Sequence, residues 1–440
     1  MNHRRPPFRL LGAIAAVGIL AASLTGCSSG GGSSTLDTTA KVKLTWWTGQ
    51  ADQAETILEK LAKQYEQEHP NVTIDVSSGA PSTDDLLQKL SASFAGGTYP
   101  DVSYAFGSWA SQLEASGRTL DITKQVAVKS VGWDRFSGAA RGTARPTGRK
   151  TIGFPAVVDN LALFYDKTLF DKAHLSYPTD QWTWDDFRAA AKKLTDASTD
   201  TYGYGYSVSG SEETTWQFWP HLWQNGGEVL SADGKKATFD SAAGVDSLTL
   251  LRDMAVTDKS VYLDQTDEKF TQLFAGGHIG MVTSGPWELS DLKTAKTDYG
   301  VTLLPGTNGD HQTVSGPDVW ALFDHKDANR SYWAYRFTKW LTDPKQDIAW
   351  NVDYGNLPLR ESETSSPEFQ AQVKALPGLD LLAANTANAK HARPTAAGYN
   401  KVSEAIGDAI SQVLQGQGTP EAALKTAATK ADQALAGNGP

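Results

Sequence analysis

The alternation of strand and helix patterns between residues 42 and 102 constrains the fold more than any other feature of this sequence. Residues 42–47 are a run of high β-propensity, and residues 51–69 place apolar side chains at the spacing of an amphipathic helix that Pro70 closes. The same two patterns repeat at residues 72–76 and 83–94, and a third strand begins at Val102. This order predicts right-handed crossovers and a mainly parallel sheet. Ligands bind such sheets beyond the carboxyl ends of the strands, which places residues 48–52 and 101–109 at a predicted site.

The rest of the chain continues the mixed α/β pattern. Strands are predicted at residues 152–155 and 161–165, a helix begins at Thr183, and residues 216–224 are helical by pattern. Residues 228–239 read as a small hairpin with a glycine turn, and the last forty residues are alanine-rich helices. A length of 440 residues fits two or three domains.

The first 27 residues account for the one cysteine in the chain. Three arginines are followed by an apolar run over residues 10–24 and then by Leu24-Thr25-Gly26-Cys27. This is the layout of a secretory signal, because an apolar run of about 15 residues is shorter than the roughly 20 of a membrane span. Leu-Thr-Gly-Cys also resembles the bacterial lipobox, which implies a signal peptide over residues 1–26 and a palmitate-bearing lipid anchor on Cys27. An ordinary signal peptide with an incidental cysteine is the alternative.

Composition excludes several functional classes. The net charge is −10 with no basic stretch beyond the N-terminus, which argues against a nucleic-acid partner. The eight histidines form no metal-binding motif, and no P-loop, dinucleotide fingerprint or nucleophile elbow is present, so we expect no metal, no cofactor and no catalytic residue. A pair of carboxylates of the glycosidase type has no fixed spacing and stays possible. Residues 27–40 are rich in Ser, Gly and Thr and are predicted to be a flexible linker.

Fourteen tryptophans are the compositional feature that points to a ligand. An aromatic ring offers an apolar surface to the C–H face of a pyranose, while Asp, Asn, Gln and Arg satisfy its hydroxyl groups. Not every tryptophan belongs to a site. Trp216, Trp219 and Trp223 lie at helical spacing, a pattern more typical of core packing than of ligand contact.

A series of short motifs resembles one known family along nearly the whole chain after residue 40. The motifs are, in chain order, Trp46-Trp47, Gly97-Thr98-Tyr99-Pro100-Asp101-Val102, Phe154-Pro155, Leu163-Phe164-Tyr165-Asp166-Lys167, Thr183-Trp184-Asp185-Asp186-Phe187, Asn225-Gly226-Gly227, Phe274-Ala275-Gly276-Gly277, Gly285-Pro286-Trp287, Leu303-Leu304-Pro305-Gly306, Tyr335-Arg336-Phe337, Leu357-Pro358-Leu359-Arg360 and Arg393-Pro394. In this order they resemble the extracellular solute-binding proteins of family 1, the sugar-binding lipoproteins of ABC importers.

The resemblance implies an α/β protein of the periplasmic-binding-protein type, with two hinge-connected lobes and a ligand cleft between them. The expected boundaries are lobe 1 over residues 41–160 and 295–340, and lobe 2 over residues 161–294 and 341–440, the last including C-terminal helices. The chain is expected to cross between lobes near residues 161–165, near Ala295 and near Trp340.

The resemblance also implies ligand contacts. The first-strand loop and the Asp of Pro-Asp-Val match Gln50 and Asp101, and the pair after Phe-Pro matches Asp159 and Asn160. Other residues come from the remaining motifs, from the glycine-containing turn before Trp320 and from the aromatic residues. The complete set of predicted ligand-binding residues is Trp47, Gln50, Asp101, Phe106, Asp159, Asn160, Trp219, Trp287, Asp318, Trp320 and Arg360. For Asp101 the alternative is a helix cap or turn residue, and for Arg360 it is a salt bridge between the lobes.

The resemblance implies a non-enzymatic function. The expected protein is a monomer tethered by Cys27 to the outer face of the cell membrane, where it binds a mono- or oligosaccharide and delivers it to the transmembrane subunits of an ABC permease. A surface-tethered carbohydrate-active enzyme is one alternative. A binding protein for another polar solute, such as a polyol phosphate, is a second, and a sensor or adhesion module that binds sugar without transport is a third.

Overall fold

The computed structural model describes residues 35–80, 83–210, 212–267, 269–352 and 354–437. The predicted signal peptide, Cys27 and most of the predicted linker lie outside the described residues. The strands are β1 Val42–Trp47, β2 Val72–Ser77, β3 Val102–Ala105, β4 Gly153–Pro155, β5 Ala162–Asp166, β6 Tyr204–Ser207, β7 Val261–Asp264, β8 Met281–Ser284, β9 Tyr299–Thr302, β10 Val314–Ser315, β11 Val319–Leu322 and β12 His391–Ala392.

The helices alternate with these strands. They are α1 Asp52–Glu68, α2 Thr83–Gly96, α3 Ala110–Ala115, α4 Thr123–Val126, α5 Gly138–Thr143, α6 Lys167–Lys172, α7 Trp184–Leu194, α8 Glu212–Trp216, α9 Trp219–Gln224, α10 Ala242–Arg252, α11 Lys269–Ala275, α12 Leu289–Ala295, α13 Ala328–Leu341, α14 Pro344–Asp347, α15 Pro367–Ala375, α16 Leu379–Asn385, α17 Tyr399–Leu414 and α18 Pro420–Leu435.

Each lobe is built on a five-stranded sheet. In the first, with the order β2-β1-β3-β11-β4, β1 pairs in parallel with β2 and β3, as predicted, and β11 runs antiparallel to β3 and β4. The second has the order β7-β6-β8-β5-β9, with β5 antiparallel to β8 and β9. The two-lobed α/β fold inferred from the resemblance is therefore present.

Local sequence signals define the helix boundaries. Thr183 caps α7 in a capping box, in which its hydroxyl accepts from Asp186 N at 3.2 Å and the Asp186 carboxylate accepts from Thr183 N at 3.0 Å. Such caps contribute about 1 kcal/mol. The apolar face of α7, with Phe187 and Leu194, is buried in the core of the second lobe.

The return to the first sheet comes later in the chain than the expected position near Ala295. Strand β9 still belongs to the second sheet, because residues 299–302 pair antiparallel with β5. The next strand of the first sheet is β11, at Val319. The last crossing to the second lobe also comes later than the expected position near Trp340, because Trp350 is still buried in the core of the first lobe. Helices α17 and α18 pack on the second lobe.

The segments that join the lobes lie side by side. Val158 forms an antiparallel bridge with Leu357, and Asn160 forms one with Ser315. Three passages of the chain therefore meet at the base of the groove between the two sheets, where a hinge can form.

Candidate functional site

A cavity of about 470 Å³ lies between the two lobes. It is lined by Gln50, Tyr104, Phe106, Val157, Asp159, Glu212, Glu213, Trp216, Trp287, Asp318, Tyr354, Asn356 and Arg393. Many of these residues follow the carboxyl ends of strands β1, β3, β4 and β8, where the topology of an open α/β sheet places a ligand. The size is within the usual range for small-molecule sites, roughly 300–1,000 Å³.

Aromatic rings form part of the cavity wall. Phe106 follows β3 and lies 6.0 Å from Tyr104 between ring centroids, while Trp216 ends α8 in the opposite lobe. Trp287 follows β8, and its indole ring covers Gly285. A side chain at that glycine would lie 2.1 Å from the ring, so the motif requires glycine there.

Arg393 is the centre of a buried ionic network. Its Nη2 atom donates to Asp318 Oδ1 at 2.8 Å, and its Nη1 atom lies 3.5 Å from Glu212 Oε1. The guanidinium carbon lies 4.5 Å from the Trp216 ring centroid and 5.1 Å from that of Phe106, so the cation sits beside two aromatic rings. Burial would lower the pKa of Arg393, but the neighbouring carboxylates raise it above its usual value.

Asp318 and Glu212 have hydrogen-bond donors besides Arg393. Gly107 N donates to Asp318 Oδ1 at 2.9 Å, and the Tyr104 hydroxyl donates to Oδ2 at 2.5 Å. The Ser403 hydroxyl donates to Glu212 Oε2 at 2.6 Å. Burial raises the pKa of both carboxyl groups, and Arg393 opposes this by stabilising their charged forms.

Asp159 differs from these two carboxylates. Its side chain is about nine-tenths buried, yet Oδ1 accepts no hydrogen bond from any residue that the structure describes. Burial raises the pKa of Asp159 well above its ordinary value, the nearby Asp318 raises it further, and Arg393 lowers it. A side chain at Gly316 would meet Asp159 Oδ1 and Trp216 Cη2 at 2.5 Å each, so glycine keeps this part of the wall clear.

The structure brings five of the predicted ligand-binding residues together. Gln50, Phe106, Asp159, Trp287 and Asp318 all line the cavity. They come from loops after β1, β3, β4 and β8 and from the segment before β11. Their assignment as ligand contacts stays a prediction.

Two predicted ionic residues lie elsewhere and have structural partners. Asp101 is fully buried, accepts two hydrogen bonds of 2.8 Å from Arg330 and accepts a third from Thr45 N at 2.8 Å. Arg360 is buried beside Glu363, at 3.1 Å, and its guanidinium lies 4.1 Å from the ring centroid of Phe136.

The four other predicted residues are also absent from the described cavity wall. Asn160 donates to Leu382 O at 2.9 Å and so fastens the hinge segment to α16. Trp219 donates to the Tyr399 hydroxyl at 3.0 Å in the core of the second lobe. Trp320 is fully buried against Trp46, and Trp47 is nearly buried at the end of β1.

Sequence reasoning did not select eight of the lining residues: Tyr104, Val157, Glu212, Glu213, Trp216, Tyr354, Asn356 and Arg393. The sequence contained one signal for Arg393, because Arg393-Pro394 is one of the motifs that carry the family resemblance. Trp216 shares its helical stripe with Trp219, and the spacing does not distinguish the ring at the cavity from the ring in the core.

Among residues 35–80, 83–210, 212–267, 269–352 and 354–437, no group of three or more His, Cys, Asp or Glu side chains is arranged to hold a metal ion. Within the same ranges, no helix has the length and apolar character needed to cross a membrane.

Comparison with known proteins agrees with this architecture. The family model of bacterial extracellular solute-binding proteins matches residues 60–377. A binding protein of Brucella abortus is 26% identical, with 86% of this chain and 89% of that protein covered. The sn-glycerol-3-phosphate-binding periplasmic protein of Yersinia enterocolitica is 23% identical, with 90% and 93% covered.

Solved structures share the whole fold. The cyclic α-maltosyl-1,6-maltose binding protein of Arthrobacter globiformis is 26% identical, with a TM-score of 0.74 and coverage of 90% of this chain and 99% of that one. The Listeria monocytogenes ABC substrate-binding protein in complex with cycloalternan is 24% identical, with a TM-score of 0.79 and the same coverage.

Two α/β lobes around a polar, aromatic-walled cavity define a binding protein of the periplasmic type. The chain belongs to the family of bacterial extracellular solute-binding proteins.

Proposed function

We propose that this protein is the extracytoplasmic binding component of an ABC importer and that its solute is a mono- or oligosaccharide. The observation that carries the proposal is the composition of the cavity wall. The rings of Phe106, Trp216 and Trp287 stand together with amide and carboxylate side chains, among them Gln50 and Asn356. Flat apolar surfaces and hydrogen-bonding groups in one cavity are what a pyranose requires.

The charges in the cavity favour a sugar over a polyol phosphate. A phosphate group is bound by cations or by helix N-termini. Among the described lining residues Arg393 is the cation, and it already contacts Asp318 and Glu212. A phosphate would have to compete with both carboxylates for it. The sugar named for the Arthrobacter globiformis structure also supports a saccharide.

Capture is proposed to occur by closure of the lobes about the joining segments. Val157 and Asp159 follow β4, Asp318 precedes β11 and Asn356 lies in the third passage, so all three segments contribute to the cavity wall. A solute that contacts these segments and both lobes would favour the closed form.

The location and partners are part of the same proposal. Cys27 would carry the lipid anchor, residues 27–40 would be the linker, and the closed protein would dock as a monomer on the permease. Replacement of Cys27 by Ala should move the protein from the membrane fraction to the soluble fraction and abolish incorporation of labelled palmitate. Membrane retention of Cys27→Ala would contradict the anchor.

The proposed solute class is tested by thermal unfolding of the purified full-length protein with a panel of mono- and oligosaccharides and with sn-glycerol 3-phosphate. A ligand that binds the folded form stabilises it by about 2.7 kcal/mol at one hundred times its Kd. A strong shift with one sugar or linkage is expected. A shift with the phosphate alone would overturn the carbohydrate proposal, and new reducing ends after long incubation with the bound sugar would indicate an enzyme.

A further inference from the structure

The cavity between the lobes is acidic. Four carboxylates line it, those of Asp159, Glu212, Glu213 and Asp318, and within the described residues they face one guanidinium, that of Arg393. In a confined space of low dielectric, such an excess of like charge favours a cationic occupant and disfavours an anionic one.

Three of the four carboxylates already have partners. Glu213 accepts from Gln217 Nε2 at 2.6 Å. Asp318 accepts from Arg393, from Gly107 N and from the Tyr104 hydroxyl, while Glu212 lies beside Arg393 and accepts from Ser403. These contacts use both terminal nitrogens of the guanidinium. Arg393 therefore completes the wall of the cavity and is not available as the sole counterion of Asp159.

Asp159 is the carboxylate with an unmet requirement. Its Oδ1 atom is buried and accepts no hydrogen bond within the described part of the chain. Gly316 N donates to the main-chain oxygen of Asp159 at 3.3 Å, and its proximity to the carboxyl group also lowers the pKa of Asp159. A buried acceptor without a donor is costly, and because Asp159 lines the cavity, a bound solute can supply a donor to its carboxylate.

We propose that the solute carries a protonated nitrogen, as an amino sugar or amino-polyol does, and that its ammonium group binds Asp159. This inference rests on the proposed function and specifies the class of sugar. A hydroxyl group can donate one hydrogen bond to Asp159 but leaves the acidic excess uncompensated. An ammonium group donates up to three hydrogen bonds and also supplies the positive charge.

The proposal predicts a proton linkage. The charged groups that act on Asp159 are Asp318 and Glu213, which favour its protonated form, and Arg393, which opposes them. An ammonium group stabilises the ionised carboxylate, so binding shifts Asp159 towards its ionised form and releases a proton over the pH range in which Asp159 titrates. Affinity should rise as the pH rises through the titration of Asp159, until the amine of the ligand loses its own proton.

The experiment is isothermal titration calorimetry of the full-length protein with pairs of sugars that differ in one group. The pairs are glucosamine and glucose, galactosamine and galactose, and chitobiose and cellobiose. The expected result is that the amine member of at least one pair binds about tenfold or more tightly than its hydroxyl partner. Its measured enthalpy should depend on the ionisation enthalpy of the buffer, which reports proton release by the wild-type protein.

The matched variants are Asp159→Asn and, as a control for loss of a carboxylate, Asp380→Asn at an exposed position on α16. Asp159→Asn should remove the preference for the amine and the proton release, and Asp380→Asn should retain both. If Asp159→Asn does not fold, the buffer dependence of the wild-type protein decides the question.

The outcomes separate this inference from the proposed function. Hydroxyl sugars that bind as tightly as their amine partners, or more tightly, would overturn the inference and leave carbohydrate binding in place. If sn-glycerol 3-phosphate binds and no sugar in the panel does, both the inference and the carbohydrate proposal fail.

Discussion

Arg393 Nη2 lies 2.8 Å from Asp318 Oδ1, and this contact joins two segments of chain that are 75 residues apart in sequence. Asp318 precedes the first-lobe strand β11, whereas Arg393 also contacts Glu212 on the second-lobe helix α8. One guanidinium thus links a joining segment to the second lobe at the wall of the cavity.

Loss of the Arg393 guanidinium should destabilise the protein and impair binding. Arg393→Met leaves Asp318 and Glu212 buried without their cation, and breaking a buried pair in this way costs about 3–5 kcal/mol. Urea unfolding should show the lower stability, and the ligand-induced shift in Tm should disappear. Arg330→Met, which removes a cation outside the cavity, should lower stability but retain the shift. A wild-type unfolding midpoint for Arg393→Met would contradict this account.

The tryptophans on the helical stripe should separate by function. Trp216→Ala removes a ring from the cavity wall and should weaken binding of the best sugar in the panel by about tenfold. Trp219→Ala removes a ring from the core and should lower the free energy of unfolding by about 3–5 kcal/mol. Calorimetric titration and urea unfolding of both variants provide the test. Equal losses of affinity in Trp216→Ala and Trp219→Ala would contradict the different roles assigned to these two residues.

Asp101 should matter for stability and not for binding. Asp101→Asn weakens the two hydrogen bonds from Arg330, and we expect a loss of about 1–3 kcal/mol in the free energy of unfolding. The Kd for the sugar should stay at its wild-type value. If Asp101→Asn has wild-type stability and binds the sugar more weakly, the structural role is contradicted and the prediction that Asp101 contacts the ligand is supported.

Gly316 should be intolerant of a side chain. In Gly316→Ala the new methyl group would clash with Asp159 Oδ1 and the Trp216 ring, each 2.5 Å away, so the cavity wall must shift and affinity should fall. Gly142→Ala is the control, because a methyl group there meets no described atom within 4 Å and the residue lies in helix α5. Ligand-induced shifts in Tm of the two variants should differ, and equal shifts would contradict the clash.

Glu288 should make stability depend on pH. Burial raises the pKa of Glu288 from 4.5 to about 7, and Asp291 adds to the effect. The folded protein then holds a proton that the unfolded chain releases near pH 4.5, so stability falls as the pH rises from 4.5 to about 7. Glu288→Gln should remove this part of the fall in Tm, whereas Glu368→Gln, at an exposed position on α15, should keep it. Parallel pH profiles for Glu288→Gln and wild type would contradict the assignment.

Local signals in the sequence determined much of the fold. The amphipathic spacing of α1, the capping residue Thr183 and the β-propensity of residues 42–47 act within a few residues of chain, so periodicity and cap chemistry place these elements correctly. The order of motifs also identified the family, and with it the two lobes and the cavity between them. Strand topology placed Gln50 and Phe106 at that cavity.

Only the tertiary structure decided which polar and aromatic side chains reach the cavity. Asp101 directly precedes β3, at the amino end of that strand and not at the carboxyl end where the cavity residues follow, and Arg330, 229 residues away in sequence, pairs with it. Trp216 and Trp219 have the same spacing pattern, and long-range packing decides that one borders the cavity and the other meets Tyr399. Arg393 acquires its role from Asp318 and Glu212, two partners on separate segments. The physical reason is that burial and charge pairing depend on neighbours that are close in space and distant along the chain, and no local pattern encodes them.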